Sequence, residues 1–116
     1  MLHALRNNRA VGILPDMAPP AGSGIRIDFL GSPAHASTAP ARLAALTGAA
    51  VIPVFAPWSE KLRCYTLRLL PPVPITGDEV AGTRRIHAVI ETAVREHPEQ
   101  FLWLLDRWAV PDASAC

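Results

Sequence analysis

Between Gly77 and His97 the chain carries its one long amphipathic pattern, and this limits the fold more than any other feature. Ile86, Val89, Ile90, Ala93 and Val94 fall at i, i+3, i+4, i+7 and i+8, while Arg85, Glu91, Arg95 and Glu96 lie mostly off that face. This is the period of a helix with one buried stripe. The rest of the chain offers strand-like runs and only short helical ones. A single substantial helix can cover one face of a sheet, so the other face is expected to lack a cover.

The strand-like runs are four. Ala10 to Leu14 is a short apolar stretch halted by Pro15-Asp16, the pattern of a buried strand ended by a residue that cannot donate to the ladder. Ile25 to Phe29 alternates apolar and polar with period two, which predicts a strand buried on one side. Ala49 to Phe55 is apolar and interrupted by Pro53, and Arg63 to Leu69 alternates again, the two joined through a turn at Pro57 to Glu60. Met17 to Gly24 and Gly31 to Thr38 read as loops.

Three shorter helical segments complete the reading. Leu2 to Asn8 reads as the last turns of a helix closed by Asn7 and Asn8. Pro40 to Leu46 reads as a short helix, with Leu43 and Leu46 three apart and Gly48 as its C-terminal stop. His97-Pro98 ends the long helix, and Pro98 opens a second short one carrying Phe101, Trp103 and Trp108. The order predicts an α/β domain, a mixed sheet with covering helices, in which a crossover could set the Ala49 strand parallel to the Ile25 strand.

Composition then removes several classes of function. Eleven Lys and Arg stand against ten Asp and Glu, a formal charge of +1, so no general electrostatic grip on nucleic acid is expected. Cys64 and Cys116 are the only thiols, which suggests neither a disulfide framework nor a cysteine metal cage. The longest apolar stretch, Ala49 to Ala56, is far short of the ~20 residues of a membrane-spanning helix.

A search for catalytic constellations returns little. No Gly-x-Ser-x-Gly elbow is present, and Gly22-Ser23-Gly24 does not lead into a phosphate-binding helix. His3, His35, His87 and His97 include no i, i+4 pair, so no metal site is expected, and His87 with Glu91 reads as a surface contact. Asp16 stands at a strand's C-terminal end, where open sheets gather functional groups, though an Asx turn explains it equally well. Arg42, Arg84, Arg85 and Arg107 are candidate anion contacts, most of them expected on solvated faces. Phe101, Trp103 and Trp108 suit a membrane-interface belt, but packing against the sheet is the favoured reading.

Taken together, four ordered blocks resemble a known family. They are Val11-Gly12-Ile13-Leu14-Pro15-Asp16, Phe29-Leu30-Gly31-Ser32-Pro33-Ala34, Thr38-Ala39-Pro40-Ala41-Arg42-Leu43-Ala44 and Thr47-Gly48-Ala49-Ala50-Val51-Ile52-Pro53-Val54. With Pro98-Glu99-Gln100-Phe101-Leu102-Trp103 and Arg107-Trp108, they are similar to the lipid A biosynthesis lauroyl/myristoyl acyltransferases, which are related to the glycerol-phosphate acyltransferases. The chain departs from that pattern at Met17, where the family carries glutamine, and at Leu105-Asp106, where it carries a basic run with histidine.

The resemblance implies transfer of a fatty acyl group from acyl carrier protein, or coenzyme A, to a glycolipid hydroxyl, with no cofactor and with peripheral contact at the cytoplasmic face of the inner membrane. It implies the C-terminal part of a glycerolphosphate-acyltransferase-like fold, over residues 1–110, with 111–116 as a flexible tail. It also implies an acceptor-binding wall at Asp16, Gly31, Pro33, Thr38 and Arg42. The family's general base is a His-x-x-x-x-Asp/Glu motif. Five residues after the four histidines stand Asn8, Pro40, Thr92 and Leu102, so no catalytic residue is assigned here and that motif is expected upstream, in a first half bearing an anchoring helix.

Overall fold

The computed structural model describes residues 1–108; the expected tail at 111–116 and Cys116 lie outside the described residues. It is a small mixed α/β domain in which every strand pairing among the described residues is antiparallel. The expected mixed sheet is replaced by three two-stranded ladders. No parallel crossover forms among the described residues.

The first ladder supplies the sheet side of the core. β1 (Ile25–Phe29) pairs with β2 (Ser32–Ala36) in a hairpin whose register runs from Ile25 opposite Ala36 to Phe29 opposite Ser32. Its two turn residues, Leu30 at φ 54° and Gly31 at φ 80°, are both left-handed, as a turn matched to strand twist requires. β2 falls where a loop was expected, because Pro33 is a poor strand residue. It is tolerated opposite Asp28, in the pair next to the one that closes the hairpin, where no ladder bond is donated. One face, Ile27, Phe29, Ala34 and Ala36, is buried.

That face meets one helix, and a second helix packs on the first. α2 (Ala39–Thr47) ends at Gly48 in the left-handed conformation, as its sequence predicts. Its buried side is Pro40, Ala41 and Ala44, while Leu46 is exposed, so small residues rather than the two leucines make the contact. α3 (Glu79–Glu96) begins where Asp78 accepts a hydrogen bond from the Val80 amide, 2.9 Å, and buries Ile86, Ile90 and Val94. Gly82 lets α2 and α3 approach: a Cβ there would lie 3.1 Å from that of Ala41 and 3.2 Å from Ile75 Cδ1.

Residues 49–73 form a long arm folded back on itself. Val54 pairs with Leu69 and Phe55 with Arg68 (β3, Val54–Phe55; β6, Arg68–Leu69), then Trp58 with Tyr65 and Ser59 with Cys64 (β4, Trp58–Ser59; β5, Cys64–Tyr65). These pairs share one register, and the Val51–Val73 bridge is displaced from it by one residue at Pro71-Pro72, a bulge. The arm is thus one hairpin cut into pieces by Pro53, Pro57, Pro71 and Pro72, whose missing amides break the ladder. Its turn is Glu60 to Arg63, later than Pro57 to Glu60.

Two other expectations change. Ala10 to Leu14 is no strand: nothing among the described residues pairs with it, and Leu14 is 84% exposed. After α1 (Leu2–Arg6) and Asn7 it runs as an extended segment into the Pro15-Asp16 turn. The second short helix is a single 3-10 turn, Pro98–Gln100, ended by the extended backbone of Phe101, and the Pro98 carbonyl accepts the Trp103 indole N–H at 2.7 Å. Phe101 and Trp108 do pack on the core, as favoured, and the Trp108 indole donates to the Phe29 carbonyl at 3.0 Å. Trp103 stacks on Trp108, centroids 6.0 Å apart, and stays half exposed.

Candidate functional site

Two cavities adjoin at Asp16 and Phe101, which line both. The larger is a groove of about 1010 Å³ between α2, α3, the Val11–Pro15 segment and the first leg of the arm. Its wall is apolar over most of its length, including Val11, Ile13, Leu43, Val51, Phe55, Val89 and Ala93. Arg68, Glu96, His97 and Gln100 bring polarity to it, the first two joined by an ion pair of 2.9 Å. The groove exists because the arm's proline-broken strands never close onto α3. Its size is that of a cleft for a large apolar ligand.

The smaller cavity, about 170 Å³, is lined by Asp16, Met17, Ala18, Phe101, Leu102, Leu105, Asp106 and Arg107. Arg107, one of the four candidate anion contacts, is buried, whereas most of the four were expected on solvated faces. One guanidinium N–H donates to the His35 carbonyl, and the guanidinium lies 5.2 Å from the centre of the Phe29 ring. Burial pulls its pKa below the ordinary guanidinium value, opposed by the charge of Asp16. It remains a cation.

The five predicted site residues do not share one cavity. Asp16 is exposed in the Pro15-Asp16 turn and lines both cavities. Gly31 sits at the tip of the β1–β2 hairpin and donates to the Asp28 carboxylate at 2.9 Å, and Pro33 is exposed just after it. Thr38 and Arg42 stand at the other end of β2, about 13 Å of extended chain away. Thr38 is the N-cap of α2 without a side-chain cap bond, its carbonyl accepting from the Arg42 amide at 2.9 Å, and the Arg42 side chain is exposed. Arg107 lines the smaller cavity with Asp16, and it was not among the five.

The histidines take unexpected places. His87 does not pair with Glu91 at the surface. It is 2% exposed, with Nδ1 3.0 Å from the Thr83 carbonyl and Nε2 3.2 Å from the Pro15 carbonyl, so it ties α3 to the turn that holds Asp16. Burial lowers its pKa from the ordinary 6.5, outweighing the two carbonyls that favour a proton. Glu91 instead accepts from the Leu30 amide at 2.9 Å and from Arg95. His97 and Glu99 approach to 3.6 Å on exposed side chains, beyond hydrogen-bond reach. Among the described residues no three His, Cys, Asp or Glu gather as a metal site.

With this geometry in place, comparison with known proteins gives the family. The profile of the bacterial lipid A biosynthesis acyltransferases matches residues 1–109. A phosphatidylinositol mannoside acyltransferase of Mycobacterium tuberculosis (strain ATCC 25618 / H37Rv) is 31% identical over 105 residues, 90% of this chain and 32% of the relative. A lipid A biosynthesis acyltransferase of Haemophilus influenzae is 30% identical over 94 residues, 79% of this chain and 29% of the relative. The chain belongs to the lipid A biosynthesis acyltransferase family, and it spans about a third of the length of these relatives.

Proposed function

We propose that the chain serves transfer of a fatty acyl group from acyl carrier protein, or coenzyme A, to a glycolipid hydroxyl at the cytoplasmic face of the inner membrane. In this reading its elements are part of a glycerolphosphate-acyltransferase-like fold. The observation that carries it is the groove of about 1010 Å³, apolar along its length and open beside Asp16. Such a groove suits an acyl chain, held by burial of methylene groups at ~0.8 kcal/mol each. Asp16, an acceptor of hydrogen bonds when ionised, suits a hydroxyl-bearing head group at its side.

The proton-accepting base lies outside these 116 residues in this reading, and the chain by itself transfers nothing. The test is twofold. The purified chain should bind a fluorescent fatty acid, with binding weakened at least tenfold by Ala93→Trp, and should give no transfer from acyl carrier protein to a lipid A precursor. Failure to bind the fatty acid removes the groove's role. Turnover by the chain alone would mean that the base is one of its own residues.

A second reading is a non-enzymatic remnant or peripheral lipid-binding module. It draws on the run Leu102 to Leu105, in which Trp103 is 50% and Leu104 94% exposed. Indole and leucine side chains presented together favour a membrane interface. Sedimentation with vesicles that Leu104→Asp abolishes, without fatty-acid binding in the groove, would favour this reading over the first.

A further inference from the structure

Arg107 is 3% exposed, and among the described residues it forms no ion pair. Its Nη1 is engaged by the His35 carbonyl, and its face by Phe29. Nε and Nη2 are both buried without a partner among the described residues. These two nitrogens are one edge of the planar guanidinium, and their N–H bonds point the same way. That edge meets two oxygens of one carboxylate or phosphate at once. A third buried orphan, His35 Nδ1, belongs to the residue whose carbonyl holds Arg107.

Buried donors left unmade are costly, and a buried cation more so, so natural structures rarely keep them without a use. Arg107 lines the cavity of about 170 Å³, which offers a ligand a place beside the residue. We propose that the Nε–Nη2 edge of Arg107 is an oxyanion site, which a phosphate or carboxylate group enters from that cavity and holds with two parallel hydrogen bonds. Asp16 and Asp106 line the same cavity, and their charge opposes an anion anywhere in it, so only the guanidinium offers a compensating attraction. The anion's one favourable seat is the guanidinium edge. A hydroxyl carried next to the oxyanion would find its acceptor in either carboxylate. The inference rests on Arg107 and not on acyl transfer, so a chain that fails the fatty-acid test can still pass this one, and the reverse.

The test is an NMR titration of the arginine Nε–Hε resonances of the full chain with inorganic phosphate and with acetate, at constant ionic strength set by chloride. One resonance, assigned to Arg107 by its loss in Arg107→Lys, should shift and saturate. Arg107→Lys keeps the charge but loses the two-pronged edge, and should bind at least about tenfold more weakly. A monomeric short-chain phosphatidic acid run beside phosphate separates a lipid head group from a free anion. Saturation by either supports the site, and the tighter of the two names its source. The proposal is overturned if no Hε resonance responds to any of these anions, or if Arg107→Lys binds phosphate as well as the native chain. It is equally overturned if Asp16→Asn alone shifts the Arg107 resonance as far as phosphate does, since Asp16 would then already occupy the edge. Should Arg107→Lys not fold, the native titration with Asp16→Asn decides.

Discussion

His87 shows how a single residue can be misplaced by a rule that is sound in general. Its spacing from Glu91 fits a surface pair, yet Thr83, His87, Ile90 and Val94 stand at i, i+4, i+7 and i+11, and all four are buried. Extending the apolar stripe by that arithmetic would have put the imidazole inside. The consequence is a pH dependence. The folded-state pKa is lowered from 6.5, so as pH falls the unfolded chain takes up a proton first and stability drops below about pH 6.5. Urea midpoints measured at pH 7.5 and 5.5 should therefore differ, the lower pH being weaker, and His87→Gln should shrink that difference while itself costing ~1–3 kcal/mol. Equal midpoints in the native chain would refute the assignment. Arg107 was named among the candidate anion contacts, but its burial was not legible: only the hairpin's register brings the His35 carbonyl and the Phe29 ring to it from more than seventy residues away.

At the scale of elements, legibility followed locality. α3 was read almost to its ends because each signal is within a few residues: Asp78 at the cap, the apolar stripe, and His97-Pro98 at the stop. Asp78→Ala should lower stability by ~1 kcal/mol in urea denaturation, with Asp78→Ser recovering most of the loss, because the helix depends on that cap for its Val80 amide. Strands need partners far along the chain, and there the reading was weaker. Ala10 to Leu14 has the composition of a strand and no partner among the described residues. Ser32 to Ala36 has a poor composition and becomes one, since Leu30 and Gly31 fold it back onto Ile25 to Phe29. The arm kept its pairing direction and lost its continuity to four prolines.

The whole molecule is a slab of 48 × 38 × 20 Å with a radius of gyration of 15.2 Å, where a compact chain of this length has about 13 Å. Its 8003 Å² of accessible surface exceeds the about 6,200 Å² expected for its mass. The excess includes apolar side chains: Leu14, Leu62, Tyr65, Leu67, Leu69 and Leu104 are each more than 60% exposed. Four of these six lie on the arm and none on the β1–β2 hairpin, so the missing cover falls on the arm rather than on the sheet face expected to lack it. Sedimentation velocity should show concentration-dependent self-association, suppressed by Leu67→Lys with Leu69→Lys on the arm. A monodisperse monomer at high concentration would contradict it. The amino-acid order by itself determined α1, α2 and α3 and where they stop, the one-sided strand at Ile25 to Phe29 and the family motifs, because hydrophobic period and capping act within a few residues. Which runs paired, where the groove opened, and that Arg107 and His87 went inside beside the Asp16 turn were decided by tertiary structure. Those outcomes depend on contacts between distant segments, whose loop closure and packing no local pattern encodes.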